Sequence, residues 1–222
     1  DYDTYRKIQQ RIIDVLDTAD YVEVKGCRGN ETDIRVKLME KSSPESQTVF
    51  ENCLADVNIP LGEVFTSPVL AGTDGVINVS AVYLNDLKFK NLKVSLKDGM
   101  VVGYTCDNFD DEQKNRAFFK ENVLYNHDTL PIGEFAIGLN PKILHPMGDI
   151  LFDEKIIGSI HFTPGRAYRE AFNGNISSIH WDMVLIEREE YGGGELYFDD
   201  VLIRKNGKFM LPELEPLNQQ QK

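Results

Sequence analysis

From Gly75 the chain runs GVINVSAVYL and then DLKFKNLKVSLKDGMVVGYTC, stretches rich in β-branched residues and punctuated by Asn85-Asp86 and Asp98-Gly99. Strand side chains alternate between two faces, and Asp-Gly tolerates the positive φ that a tight hairpin needs. The segment therefore predicts an antiparallel meander. YVEVKG and DIRVKL alternate in the same way around the turn-rich CRGNET, which predicts a hairpin, and GGGELYFDDVLIRKNGKFML reads as paired strands turning near Asp199-Asp200 and Asn206-Gly207. GEFAIG, KIIGSIHF and SSIHWDMVLI are three further short strands between Gly- and Pro-containing loops. Helices are few. TYRKIQQRIIDVLD places Tyr5, Ile8, Ile12 and Leu16 on one face. In DDEQKNRAFFKENVLY, Asp110 or Asp111 caps a helix whose inward stripe is Ala117, Phe118 and Val123. LMEKSSPESQTVFENC is polar and carries Pro44, so it reads as a loop. The expected fold class is α+β, a mixed and mostly antiparallel sheet with a few flanking helices.

With 222 residues, 41% of them hydrophobic, the chain can bury a sizeable core, and no apolar run approaches a membrane span. A net charge of −12 repels phosphate backbones and anionic lipid and attracts divalent cations and ammonium groups. Nucleic acid and membrane are therefore not expected partners. Cys27, Cys53 and Cys106 form an odd set without a CxxC pair, which reads as reduced thiols. The opening DYDTYRKIQQ carries no initiator Met, signal segment or Arg-rich presequence, so the expected location is cytoplasmic. Gly192 to Gly194 do not follow a strand and open a helix, so they predict a turn and not a phosphate cradle. The tail 212–222, PELEPLNQQQK, is polar and expected to fray.

The polar residues inside the apolar strands carry the chemical signal. In SIHWDMVLI, Ile179, Trp181, Met183 and Leu185 share one strand face while Ser178, His180 and Asp182 share the other. The tripeptide SIH also occurs at Ser159–His161, where Ile157, Ser159 and His161 oppose Ile156, Ile160 and Phe162. Glu134 lies opposite Phe135 and Ile137 in GEFAIG, and Glu63 opens the β-rich stretch between Pro60 and Pro68. Buried carboxylates need cations, hydrogen bonds or water. Lysine and arginine are nearly absent from these segments, which leaves bound metal or solvent exposure. Imidazole with carboxylate suits zinc, cobalt or manganese, and five such ligands fit two ions sharing a carboxylate better than one open ion. His127 and His145 sit in turn-rich loops and are expected at the surface.

NIPLGEVFTSP (58–68), GEFAIG (133–138), IHFTPGRAY (160–168) and IHWDM (179–183), in this order, resemble the aminopeptidase T / aminopeptidase S family of dinuclear metalloaminopeptidases. The resemblance implies the catalytic domain of a thermophilic-type metalloaminopeptidase over residues 1–211, with the family's N-terminal domain absent. It places Glu63, Glu134, His161, His180 and Asp182 at metal-ligand positions, with Glu134 bridging and catalytic and Tyr168 the active-site tyrosine. It further implies two divalent ions (Zn, Co, Mg or Mn), a peptide substrate cleaved after an N-terminal leucine or other apolar residue, and a homodimer at full length. Pro164 and Arg166 depart from the small or apolar residues expected between His161 and Tyr168. Two other readings stand beside it. One is an inactive or metal-binding fragment that serves as an interaction module of a larger aminopeptidase. The other is a dinuclear phosphoesterase, whose DxH- and GNHE-like clusters are absent.

Overall fold

The structure, a computed structural model, describes residues 2–38, 50–54, 59–84, 86–167 and 173–218. Helix α1 (Tyr2–Leu16) leads into strands β1 (Tyr21–Gly26), β2 (Asp33–Lys37), β3 (Glu51–Cys53) and β4 (Glu63–Thr66). The long meander β5 (Val69–Leu84), β6 (Leu87–Lys97) and β7 (Met100–Thr105) follows, then α2 (Glu112–Asn122) and β8 (Ile132–Gly138). Next come the single turn α3 (Ile150–Asp153), β9 (Ser159–Pro164) and β10 (Met183–Ile186). The chain closes with β11 (Gly194–Phe198), β12 (Val201–Lys205), β13 (Lys208–Phe209) and α4 (Glu215–Asn218).

The strands form two sheets, one of eight strands in the order β13-β12-β11-β1-β2-β5-β6-β7 and one of five in the order β10-β9-β8-β4-β3. Every pairing of named strands is antiparallel, as the alternation predicts. The turns also fall where their residues predict. Asp98 and Gly99, Asp199 and Asp200, and Asn206 and Gly207 all take positive φ, the conformation that matches hairpin twist. One core joins the two sheets. Ile12, Ile13 and Leu16 of α1, Val22, Ile34 and Val94 of the large sheet, and Phe135, Ile137, Ile160 and Phe162 of the small one are all buried in it. Each such side chain stabilises the fold by roughly 1.5–3 kcal/mol relative to exposure.

Several expectations are corrected. Glu51–Cys53, expected in a loop, pairs with β4, because Phe50 and Cys53 are apolar enough to be buried there; residues 39–49 of that loop lie outside the described residues. Helix α2 is capped by Asp111, which accepts from the amides of Gln113 and Lys114. Its buried stripe is Asn115, Phe119 and Val123, four residues apart, while Ala117 is exposed. The tail does not fray up to Asn218. Leu214 and Leu217 are buried, and Asn218 holds Phe209 by a reciprocal pair of 2.8 Å hydrogen bonds. In SIHWDMVLI only Met183–Ile186 is regular strand, His180 making an isolated bridge with Gly165. Among the described residues no helix is long and apolar enough to cross a membrane.

Candidate metal centre

Glu63, Glu134 and His161 come from β4, β8 and β9, adjacent strands of the small sheet. The register pairs Glu63 with Gly138, His161 with Ala136, and Thr163 with Glu134. Directly opposed residues share a face, as do residues two apart, so all of these side chains line one surface of the sheet. Its other surface, with Phe135, Ile137, Ile160 and Phe162, is the main core. The polar surface is covered too. Ala136 and Gly138 leave it shallow, and the segment Glu154–Ile156 lies across it so closely that a Cβ on Gly138 would collide with Ile156 O and Ser159 Oγ.

His180 and Asp182 arrive from the irregular approach to β10. Arg166 N donates to Ile179 O at 2.6 Å, and His180 Nδ1 lies 3.1 Å from Arg166 O. That contact puts a proton on Nδ1 and turns Nε2 toward the cluster. Arg166 acts here through its backbone, its side chain being exposed.

The five residues meet. His161 Nε2 lies 3.5 Å from both Glu63 Oε2 and Glu134 Oε1, and His180 Nε2 lies 3.3 Å from both Glu134 Oε2 and Asp182 Oδ1. Glu63, Glu134 and His161 offer ligand atoms within 4.8 Å of one another, and so do Glu134, His180 and Asp182. Thr163 Oγ1 donates to Asp182 Oδ1 at 2.5 Å. All but His180 are buried, and His180, with 26% of its side chain exposed, stands at the mouth. The mouth opens into a cleft of about 580 Å³ lined by Tyr83, Ile150, Glu154, His180, Trp181 and Asp182.

The chemistry of this donor set fits divalent cations. Among the described residues Glu63 Oε2 and Glu134 Oε2 are buried without a well-formed hydrogen bond, although burying such atoms unpaired is costly. Protons otherwise fill the role of a cation. Burial alone would lower both imidazoles, yet Glu134 pushes His161 up to about 9, and Asp182 with Glu134 pushes His180 up to about 11. Burial works against the carboxylates of Glu134 and Asp182 too, but the two imidazoles hold both below the usual range.

Sequence reasoning missed two members. Glu154 is buried, and burial reinforced by the charge of Glu63 pushes its carboxyl up to about 9. It forms a third group with His161 and Asp182. Lys155, fully enclosed, donates to Glu63 Oε1 at 2.6 Å and to Glu154 Oε1. The segments therefore do supply one cation, correcting the expectation that only metal or solvent compensates them. The available signal was the charged pair in DEKIIGSIHF, next to an apolar run. Both residues precede the strand, where alternation assigns no face. Tyr168 lies outside the described residues. His127 and His145 are exposed, as expected, and all three cysteines are free. Gly192 and Gly193 take positive φ in the turn before β11.

A family model described as thermophilic metalloprotease (M29) matches residues 1–209. The chain belongs to this family. M29 members are peptide hydrolases that depend on divalent metal, so membership agrees with the resemblance carried by the four motifs. The structure is also similar to that of wild-type AmpT from Thermus thermophilus, with a TM-score of 0.67 at 20% identity over 95% of this chain. The M29 chain spans 55% of the length of that protein. No curated protein matches it.

Proposed function

We propose that the chain is the catalytic part of a metal-dependent aminopeptidase that removes leucine or another apolar residue from peptide N-termini. One observation carries the reading: Glu134 belongs to two ligand groups at once, with Glu63 and His161 on one side and His180 and Asp182 on the other. Such sharing suits two divalent ions bridged by one carboxylate, and we assign these five residues as ligands. Imidazole and carboxylate without thiolate suit Zn, Co, Mn or Mg.

Divalent cations held by Glu63, Glu134, His161, His180 and Asp182 would supply Lewis acidity for activating water and polarising the scissile carbonyl. Glu134 is engaged on both sides, so Glu154, at the edge of the cleft, is better placed to take the water's proton and return it to the leaving amine. Tyr168, carried over from the family motif, donates a hydrogen bond to the oxyanion. The chain's net charge of −12 favours approach of the ammonium end of a peptide. An adjoining cavity of about 550 Å³, lined in part by Ala81, Tyr83, Ile150, Val184 and Ile186, accommodates an apolar side chain. By the same resemblance we propose a cytoplasmic homodimer at full length.

The test is metal content per chain together with hydrolysis of leucine-p-nitroanilide after loading with zinc or cobalt. Two ions per chain and turnover are expected, and Glu134→Ala removes both. A Glu134→Ala protein that keeps two ions would rule out the bridge. The second reading, an interaction module of a larger aminopeptidase, draws on the chain's spanning 55% of AmpT. Metal bound without turnover favours it.

A further inference from the structure

Among the described residues the centre holds one fixed cation, Lys155, whose contacts are specific to single oxygen atoms. Lys155 Nζ takes Glu63 Oε1 at 2.6 Å, while Glu63 Oε2 has no hydrogen bond among the described residues and lies 3.5 Å from His161 Nε2. The ammonium is placed by the backbone around it. Lys155 O accepts from Asn140 N at 3.0 Å, Asn140 Nδ2 donates to Leu61 O at 2.7 Å, and Leu139 N donates to Gly62 O at 2.7 Å. Lys155 is thus tied to the same Leu61–Gly62 corner from which Glu63 projects. A carboxylate with both oxygens free can bind an ion through either or both. Here one is withheld.

We infer that Lys155 is a positioning residue that makes Glu63 a one-oxygen ligand. It occupies Oε1, presents Oε2 toward His161, and so sets the affinity and coordination of the Glu63–Glu134–His161 position while leaving the Glu134–His180–Asp182 position alone. The inference rests on the proposed metal centre, and the two fail in different ways.

Chelated protein is titrated with Zn²⁺ against a competing chelator, and with Co²⁺ followed by visible absorption. Wild type is expected to bind two ions; if it binds none, the centre itself falls. Lys155→Met, close in length but uncharged, is expected to bind one ion as wild type does and the other about 10- to 100-fold more tightly, since a competing charge is removed and a second carboxylate oxygen is freed. The Co²⁺ band of the altered position should shift and lose intensity as the freed oxygen joins the coordination. Binding of both ions with wild-type affinity and spectrum overturns the inference, and so does an equal change at both positions. Should Lys155→Met not fold by circular dichroism, Glu63→Gln is compared with Glu63→Gln/Lys155→Met, in which both charges are removed together. Because the lysine acts through Glu63, the double variant should then match Glu63→Gln within about twofold. A further change of tenfold or more overturns it.

Discussion

Glu154 and Glu134 are carboxylates of one cluster held in opposite states. Glu134 faces two imidazoles and is kept ionised, whereas Glu154 faces Glu63 across Lys155 and titrates at about 9. Cations held beside Glu154 would lower its pKa toward neutrality, where a carboxyl can both accept and return a proton as a general acid–base, while an ionised carboxylate shared by two groups has the character of a ligand. Glu154→Gln should therefore lower kcat by about 10²- to 10⁴-fold while the two ions of the proposed centre remain bound. Metal analysis and steady-state kinetics on one preparation check this. Loss of an ion would make Glu154 a ligand alongside His161 and Asp182. At this scale Glu63, Glu134, His161, His180 and Asp182 were legible because polar residues interrupt apolar strands. Glu154 and Lys155 were not, since the turn that carries them has no periodicity to betray its orientation.

The β9–β10 connection decides where His180 stands. Gly165 has φ of +118°, its amide donates to Pro131 O at 2.7 Å, and it bridges to His180. A Cβ there would run into the Ile179 carbonyl. Gly165→Ala should thus cost about 1–3 kcal/mol of stability through strain and displaced backbone. In the proposed two-ion centre, the ion at the Glu134–His180–Asp182 position should weaken before the other. Thermal melts and metal titration report the two effects separately, and a variant with wild-type melting and binding would show that the connection yields freely. Elements with strict alternation and Asp-Gly or Asp-Asp turns were readable, and β5–β6–β7 and β11–β12 lie where they were expected. Glu51–Cys53 was not, being too short for a pattern and fixed only by its pairing with β4.

For the whole molecule, stability should depend on pH with opposite sign in the metal-free and metal-loaded protein. In the metal-free fold His161 and His180 titrate at about 9 and about 11, above their unfolded values, and so does the Glu154 carboxyl at about 9. Their stabilisation is complete below the unfolded pKa of each group and is lost as pH rises through the folded values. Chelated protein should lose melting temperature between pH 6.5 and pH 9. Imidazoles bound to metal carry no proton at the ligating nitrogen, so in the loaded protein the unfolded chain binds more protons and stability rises with pH up to about 6.5. Calorimetric melts with and without chelator should diverge as pH increases, and parallel curves would remove the imidazoles from metal binding.

By itself the sequence determined that the sheets are antiparallel, where the main turns fall, and which five polar side chains break the apolar pattern. These are local properties, set by side-chain alternation and by φ preferences at single turn residues. Tertiary structure decided that the strands divide into two sheets and that His180 reaches Glu134 through the backbone of Gly165 and Arg166. It also decided that the small residues Ala136 and Gly138 let the Glu154–Ile156 segment lie across the sheet and bring Lys155 to Glu63. Those contacts join residues far apart in the chain, and their distances are set by how closely backbones approach, which no residue pattern along one strand encodes.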